Sequence, residues 1–194
     1  MKFAHTTIVV AGSHSTGKST FLDGVEARLV SKGIRVGRVA DTATKAHEIG
    51  FPILRDHVYE STLWIMAEGL RQEMEAALRS EVILVDRPLI DAVGYLRAAL
   101  EATGRKIDDA RMQELLQMAV GHQARYDWFA TTVLDETVPL GDGRDRDSDF
   151  RRLAGSTIAD LTKAYVPNAR WLEIANTAVL TEEVVDLALK RNRS

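Results

Sequence analysis

The sequence predicts an α/β fold in which helices cover both faces of a parallel sheet. Short apolar runs alternate with helical patterns along the chain, and this alternation is typical of parallel strands joined by helices. The run at residues 82–85 is apolar throughout, as expected of a strand buried on both faces. Polar side chains also stand at or just after four of the predicted strands. Because the carboxyl ends of parallel strands meet at one edge, these side chains indicate a single active cleft; they are Asp41, Asp86, Asp135 and Asn176.

Each predicted element follows from its local pattern. The first strand is the apolar run that ends at Ala11, and the helix after it carries Phe21, Leu22, Val25 and Leu29 on one face. We expect strands at residues 6–11, 34–40, 82–85, 128–134 and 170–174. We expect helices near residues 18–32, 56–79, 90–102, 108–122, 148–164 and 181–191.

Composition restricts the classes of protein. The 194 residues are expected to form one domain, with 45% hydrophobic and 27% charged residues, as in ordinary globular proteins. A net charge of −3 argues against a general nucleic-acid-binding surface but leaves a local basic cleft open, and the absence of cysteine excludes disulfides. No apolar run reaches the roughly 20 residues of a membrane span. With no signal peptide visible before the first strand, we expect a cytoplasmic location; the sequence leaves a homodimer open.

The most informative segment is residues 12–19, Gly-Ser-His-Ser-Thr-Gly-Lys-Ser, which fits the G-x-x-x-x-G-K-[ST] pattern of a phosphate-binding loop. It lies between a strand and a helix, the context in which this pattern is specific. Glycines let the backbone approach a phosphate closely, and the helix N-terminus adds a partial positive charge. The segment therefore predicts that a nucleoside triphosphate binds with Mg²⁺. The expected contacts are Gly12, Ser13, His14, Ser15, Thr16, Gly17, Lys18, Ser19 and Thr20.

Individual roles follow from the chemistry of these side chains. Lys18 is expected to supply a mobile cation for the β- and γ-phosphates, and the Ser19 hydroxyl is suited to ligate Mg²⁺. Asp86 follows the apolar strand at residues 82–85, where an aspartate often holds Mg²⁺; the alternative is a cap on the next helix. His14 is expected to project outward from the loop.

Three further residues are candidates for the acceptor side of the cleft. Asp41 ends the second strand, across the expected cleft from the γ-phosphate, and could receive the proton of an acceptor hydroxyl. The alternative is that Asp41 caps a helix over residues 42–48. Asp91 and Tyr95 lie one and two turns further along the helix that follows Asp86. They could line the acceptor site, or Asp91 could cap the helix and Tyr95 could pack in the core.

A charged segment from about residue 139 to 152 predicts a lid. Glycines and alternating charges are typical of a mobile loop, and this loop runs into a helix capped by Asp147 or Ser148. Arginines on such a loop can close over a triphosphate and stabilise its charge. The expected lid residues are Arg144, Arg146 and Arg151. The alternative is a solvated loop whose charges pair with one another.

Taken together, these segments resemble the AAA-like group of P-loop kinases that includes the bacterial ribosylnicotinamide kinase domain. The similarity to thymidylate and deoxynucleoside kinases is looser. The resemblance is carried by residues 12–20, the acidic end of the second strand, Asp86-Arg87, Tyr126-Asp127 and residues 142–152.

The resemblance implies a three-layer P-loop NTPase fold with strand order 2-3-1-4-5, and a kinase that uses ATP and Mg²⁺. It further implies that Arg87 faces the acceptor or the phosphates, the alternative being a structural ion pair. It also implies that the loop around Asn176 contacts adenine.

The expected activity is transfer of the ATP γ-phosphate to a hydroxyl or phosphate of a small nucleoside, nucleotide or related metabolite. The alternatives are a nucleotide-dependent regulatory ATPase and a kinase that acts on nucleic acid or on a modified base in DNA. Tyr59, Trp64 and Met66 could form an aromatic slot for a base, but their helical spacing favours a place in the core.

Overall fold

The computed structural model of the chain describes residues 5–132 and 147–192. Within them, five parallel strands form one sheet, as the sequence predicts. The strands are β1 (Thr6–Ala11), β2 (Val36–Val39), β3 (Val82–Asp86), β4 (Trp128–Thr132) and β5 (Arg170–Leu172). Their order across the sheet is β2-β3-β1-β4-β5, which confirms the order that the resemblance implied.

Helices connect the strands. They are α1 (Lys18–Ser31), α2 (Thr42–Glu48), α3 (Tyr59–Ala77), α4 (Leu89–Thr103), α5 (Asp109–Gln123), α6 (Ser148–Tyr165) and α7 (Thr177–Asn192). Two 3₁₀ helices, Leu54–Asp56 and Ile174–Asn176, lie in the connections. Within the described ranges, every helix is too short or too polar to cross a lipid bilayer.

The last strand and the last helix differ from their predicted bounds. β5 ends at Leu172 because the Asn176 side-chain oxygen accepts a hydrogen bond from the Glu173 amide, 3.0 Å away, and closes a 3₁₀ turn. Thr177 then begins α7, four residues earlier than expected, and its hydroxyl donates to the Glu173 carbonyl.

Helices cover both faces of the sheet, and neighbouring side chains of each strand point to opposite faces, so both sets of side chains are buried. On one face, Ile8 and Val10 of β1 pack with residues of α1 and α7. On the other face, Val9 packs with residues of α3, α4, α5 and α6. These β1 side chains are fully buried, and each such burial stabilises the fold by about 1.5–3 kcal/mol.

The strand register brings the expected site residues to one edge. β1 is central, with Val10 opposite Asp86 of β3 and Ala11 opposite Thr131 of β4. Gly12, directly after β1, therefore lies beside the carboxyl ends of both neighbouring strands.

Helix α4 lies close beneath this edge because the chain turns sharply after β3. Arg87 adopts a left-handed backbone conformation with φ 73°, and Pro88 stands at the N-cap of α4. Further along, Gly94 lets α6 approach, since a Cβ built at Gly94 would lie 2.5 Å from Cγ1 of Ile158. Thus α4 and α6 together form the floor under the edge of the sheet.

Candidate active site

The phosphate loop joins β1 to α1 through three residues in unusual backbone conformations. Gly12, Ser15 and Gly17 have φ of 134°, 55° and 83°. A side chain at Gly12 is excluded sterically as well, because a Cβ there would lie 2.0 Å from the Thr132 hydroxyl oxygen. Gly17 is the N-cap of α1, so the loop leads directly to the positive end of that helix. This backbone has the form of a phosphate cradle.

Lys18 is held against this loop. Its side chain is buried, and its ammonium donates to the Ser13 carbonyl and to the Thr16 hydroxyl, 3.3 Å away. The Thr16 hydroxyl also lies 2.6 Å from that of Thr132, at the end of β4. Thr132 is a site residue that the sequence motif does not reveal, because it lies 116 positions from Thr16 and meets it only through the fold.

Ser19 and Asp86 come together as the magnesium hypothesis requires. The Ser19 hydroxyl donates to Oδ2 of Asp86 over 2.7 Å. The other oxygen of Asp86 is buried and, among the described residues, has no hydrogen-bond partner. A hydroxyl next to a carboxylate suits Mg²⁺, which prefers oxygen ligands. The capping alternative is not supported, because Pro88 is the N-cap of α4.

Asp41 stands at the start of α2 and on the wall of the cleft that the phosphate loop also lines. It occupies the N-cap position, but its backbone is left-handed with φ 59° and its side chain accepts no capping hydrogen bond. Asp41 therefore occupies the N-cap position of α2, but its carboxylate does not cap the helix by a hydrogen bond. Its assignment as the proton acceptor stays a prediction.

Arg87 and His14 meet at the hydroxyl of Tyr95. The Arg87 guanidinium donates to this hydroxyl over 3.0 Å, and its central carbon lies 5.4 Å from the centre of the ring. Among the described residues, Arg87 thus has a phenol as its hydrogen-bond partner and forms no direct ion pair with a carboxylate. The His14 amide also donates to the Tyr95 hydroxyl over 3.0 Å. The prediction that His14 projects outward is wrong, because Tyr95 holds it inside the protein, where it is buried.

Asp91 supports the same loop from below. Its Oδ2 accepts a hydrogen bond from the Gly12 amide over 3.0 Å. Its Oδ1 is buried without a hydrogen-bond partner in the described part of the chain. Burial raises the pKa of Asp91 to about 7, although the charges of Lys18 and Arg87 act in the opposite direction. Asp91 also lines the cleft, so bracing the loop and facing an acceptor are compatible.

The expected lid is described only in part. Arg144 and Arg146 lie outside the described residues, so their roles stay predictions. Asp147 caps α6 by accepting from the Phe150 amide over 2.9 Å, as predicted. Arg151 lies one turn later, and its guanidinium donates to the carbonyls of His14 and Ser15 at 3.2 and 2.8 Å.

These contacts show that Arg151 has a different environment from the mobile loop that the sequence predicts, and they do not test its predicted role. It is buried in a helix against the loop backbone and does not belong to a mobile segment. Its catalytic assignment stays a prediction.

The side-chain amide of Asn176 forms hydrogen bonds with nearby backbone groups. The nitrogen donates to the Trp171 carbonyl over 2.8 Å, and the oxygen accepts from the Glu173 amide. Asn176 does not line the cleft beside the phosphate loop. The adenine contact that the resemblance implied therefore stays a prediction.

The cleft beside the loop has a volume of about 530 Å³. Its lining comes from the phosphate loop and the start of α1, and from α2, α3, α4 and the first 3₁₀ helix. The apolar part of this lining, the apolar wall, is made of Ile53, Leu54, Ile65, Met66, Leu89 and Ala92.

The aromatic slot considered from the sequence does not form. Met66 reaches the cleft wall, whereas Trp64 packs against Phe51 with ring centres 5.7 Å apart. The Tyr59 hydroxyl donates to Glu114 over 2.7 Å.

Two polar residues of the cleft wall were missed by the sequence analysis. His57 stacks on Tyr95 with ring centres 5.9 Å apart, and burial lowers its pKa to about 4. Glu73 binds His122 at 2.7 Å and the Tyr126 hydroxyl at 3.1 Å. Glu73 lies 49 and 53 positions from its two partners, and His57 and Tyr95 are also far apart in the chain, so no local pattern marks these contacts.

Comparison with solved structures finds this fold in proteins whose sequences differ widely from that of this chain. NadR in complex with NAD and AMP-PNP matches with a TM-score of 0.66 and 11% identity, over 97% of this chain and 50% of NadR. NadR in complex with NR matches with a TM-score of 0.61 and 12% identity, over 88% of this chain and 46% of NadR. The chain therefore spans about half the length of NadR. Deoxyadenosine kinase from M. mycoides with bound dCTP matches with a TM-score of 0.58 and 12% identity, over 93% and 99% of the two chains.

At these identities the matches show a shared α/β P-loop fold. No curated protein matches the sequence. A family model described as an AAA domain matches residues 7–167, which is most of the chain and includes the phosphate loop, Asp86 and Arg151. The chain thus belongs to this AAA domain family of P-loop proteins.

Proposed function

We propose that this protein transfers the γ-phosphate of ATP to a hydroxyl or phosphate of a small nucleoside, nucleotide or related metabolite. One observation carries the proposal: a single cleft is lined by the phosphate loop, the Ser19–Asp86 pair and Asp41. Phosphoryl transfer needs positioning and charge stabilisation more than covalent chemistry, and this arrangement supplies both.

On the nucleotide side, the chain provides a cradle of amides and one buried ammonium. The loop amides and the N-terminus of α1 favour phosphate oxygens, and Lys18 adds a full charge. Ser19 and Asp86 would hold Mg²⁺, which neutralises phosphate charge when bound. In the described residues no group of three or more His, Cys, Asp or Glu could hold a metal. We therefore expect water and phosphate oxygens to complete the ligand set.

On the acceptor side, the apolar wall suits the flat or weakly polar part of a metabolite. Arg87 carries a positive charge suited to a phosphate or to the transferring group, and Asp41 suits an acceptor hydroxyl. In the proposed reaction, the acceptor oxygen bonds to the γ-phosphorus as the bond to the ADP oxygen breaks, and Asp41 takes the acceptor proton. A volume of about 530 Å³ fits the size of small-molecule sites.

The ligands of the structural relatives support this class of substrate. The two NadR structures contain NR, or NAD with AMP-PNP, and the deoxyadenosine kinase contains dCTP. Each ligand is that of the protein in which it is bound. For this chain we take from them only the expectation of a nucleotide donor with a nucleoside-like acceptor.

The test is ADP release from ATP and Mg²⁺, measured with purified full-length protein and a panel of nucleosides, nucleoside monophosphates and oligonucleotides. A Lys18→Ala sample prepared identically corrects for contaminating kinases. Release that depends on one small acceptor, with a phosphorylated product seen by mass spectrometry, supports the proposal. Slow release without any acceptor would indicate a regulatory ATPase, and release only with oligonucleotides would indicate a nucleic-acid kinase.

A further inference from the structure

The face of α4 beneath the phosphate loop carries two polar residues one helical turn apart. Asp91 accepts from the Gly12 amide, and Tyr95 contacts His14. Both are buried, with exposures of 1% and 5%. Side chains four positions apart share one face of a helix, so α4 contacts the loop at two points.

The hydroxyl of Tyr95 has three polar neighbours. The His14 amide and the Arg87 guanidinium each lie 3.0 Å from it, and Nδ1 of His14 lies 3.2 Å from it. A tyrosine hydroxyl accepts two hydrogen bonds and donates one. Because the amide and the guanidinium can only donate, they occupy both accepting positions. The hydroxyl hydrogen is then left for Nδ1 of His14, which must be unprotonated.

The ring of Tyr95 fixes where this hydroxyl lies. It stacks on His57 at 5.9 Å and packs against Phe150 of α6 at 6.2 Å, measured between ring centres. From the other side, Arg151 donates to the His14 carbonyl. Thus Tyr95 of α4 contacts the amide and the ring of His14, and Arg151 of α6 contacts its carbonyl.

We propose that Tyr95 is a positioning residue whose one hydroxyl couples the phosphate loop, through His14, to the acceptor-side arginine Arg87. The part of the proposal that concerns the acceptor rests on the proposed function. The structural part does not. If Arg87 moves away from Tyr95, an accepting position on the hydroxyl becomes free, and a hydrogen on Nδ1 of His14 can then donate to it, so the hydrogen-bond arrangement at His14 depends on Arg87. Occupancy of the phosphate loop and the orientation of Arg87 are therefore linked, and the linkage is reciprocal.

The first test is the tautomer of His14, read from the imidazole nitrogen shifts of the full-length protein labelled with ¹⁵N-histidine. His14→Gln assigns the signal. We expect a neutral ring with its hydrogen on Nε2, and loss of this strict preference in Tyr95→Phe, which keeps the stacked ring. Tyr59→Phe removes a hydroxyl outside the cleft and is the matched control. A hydrogen on Nδ1 of His14, or an unchanged signal in Tyr95→Phe, would overturn the proposal.

The second test is a double-mutant cycle on the binding of Mg²⁺ and AMP-PNP, measured by calorimetry in the wild type, Tyr95→Phe, Arg87→Met and the double variant. We expect Tyr95→Phe to weaken affinity roughly 3–10-fold, and the double variant to depart from the product of the single effects by about threefold or more. Strictly multiplicative effects would overturn the coupling. Thermal unfolding of each variant identifies any general loss of structure.

These readouts separate the two proposals because neither requires phosphoryl transfer. A protein without acceptor-dependent ADP release that still shows the expected tautomer and coupling contradicts only the proposed function. An active kinase with independent Tyr95 and Arg87 effects contradicts only the coupling.

Discussion

Lys18 illustrates how a single residue is prepared for its role. The ammonium is buried and held by oxygens of the loop that it serves, so little reorganisation is needed when a phosphate replaces those oxygens. We expect Lys18→Ala to lower nucleotide turnover by on the order of 10²-fold or more. ADP release measures this, with Lys32→Ala, an exposed lysine after α1, as the control. Near-normal turnover in Lys18→Ala would reject the assignment.

Asp86 is the residue on which metal dependence should rest. It has one oxygen bound to Ser19 and one buried oxygen without a partner in the described chain. We expect Asp86→Asn to raise the Mg²⁺ concentration needed for nucleotide binding by on the order of 10-fold or more, since a carboxylate is the stronger ligand. A calorimetric Mg²⁺ titration at fixed nucleotide measures this. Asp23→Asn changes an exposed acid on α1 and should match the wild type; an equal effect of both changes would contradict the metal site.

A substitution of Asp41 can distinguish its two candidate roles, proton acceptor and helix cap. We expect Asp41→Asn to lower kcat roughly 10²–10⁴-fold while the KM for ATP changes little, because the variant loses the proton acceptor. Stability should hold, since the side chain makes no capping hydrogen bond. Steady-state kinetics with the identified acceptor and a thermal melt decide the matter. If instead kcat holds and stability falls by about 0.5–2 kcal/mol, Asp41 is a cap.

At the scale of elements, the contact of α4 with α6 depends on Gly94, which has no side chain. A Cβ at Gly94 would lie 2.5 Å from Cγ1 and 3.4 Å from Cα of Ile158, so the Ile158 side chain or α6 must shift. Overpacking costs about 1–3 kcal/mol, which exceeds the roughly 1 kcal/mol that alanine gains over glycine in a helix. We expect Gly94→Ala to lower the free energy of unfolding.

The control for this change is Gly24→Ala on the exposed face of α1, where an added Cβ meets nothing within 4 Å. There only the helix propensity acts, so the free energy of unfolding should rise by about 0.5–1 kcal/mol. Denaturant unfolding of both variants measures the two signs. A gain for Gly94→Ala would show that α6 accommodates the methyl group without strain.

Much of the fold could be predicted from the sequence because its signals are local. An unbroken apolar run such as β3 indicates a buried strand without reference to the rest of the chain. The glycines and lysine of the phosphate loop likewise indicate their own local structure. The site around Tyr95 could not be predicted in this way. His14 turns inward because Tyr95 and Arg151, 81 and 137 positions away, hold it. Such contacts depend on helix packing, which no spacing within one segment encodes.

At the scale of the whole molecule, acid should destabilise the protein through His57. Burial lowers the pKa of His57 from 6.5 to about 4, so folding favours the neutral ring. The contribution is complete above the unfolded pKa and is lost as the pH falls from 6.5 towards 4. The raised pKa of Asp91 acts oppositely: its carboxylate is disfavoured by folding as the pH rises towards 7.

Comparison of the wild type with His57→Gln isolates the histidine. The stability difference between the two proteins should shrink by roughly 2 kcal/mol between about pH 7.5 and about pH 4.5. Urea unfolding at both values measures this. Parallel pH profiles for the two proteins would show that His57 stays neutral or remains solvated in the folded state.

The bracing of the phosphate loop by Arg151 has a consequence for biosynthesis. A nascent chain that has emerged only as far as α5 already displays the whole nucleotide motif. It still lacks the guanidinium that fixes the carbonyls of His14 and Ser15, because that group is translated 137 positions after His14. Tight nucleotide capture should therefore begin only after α6 has left the ribosome, so premature termination products would compete poorly for the cellular pool.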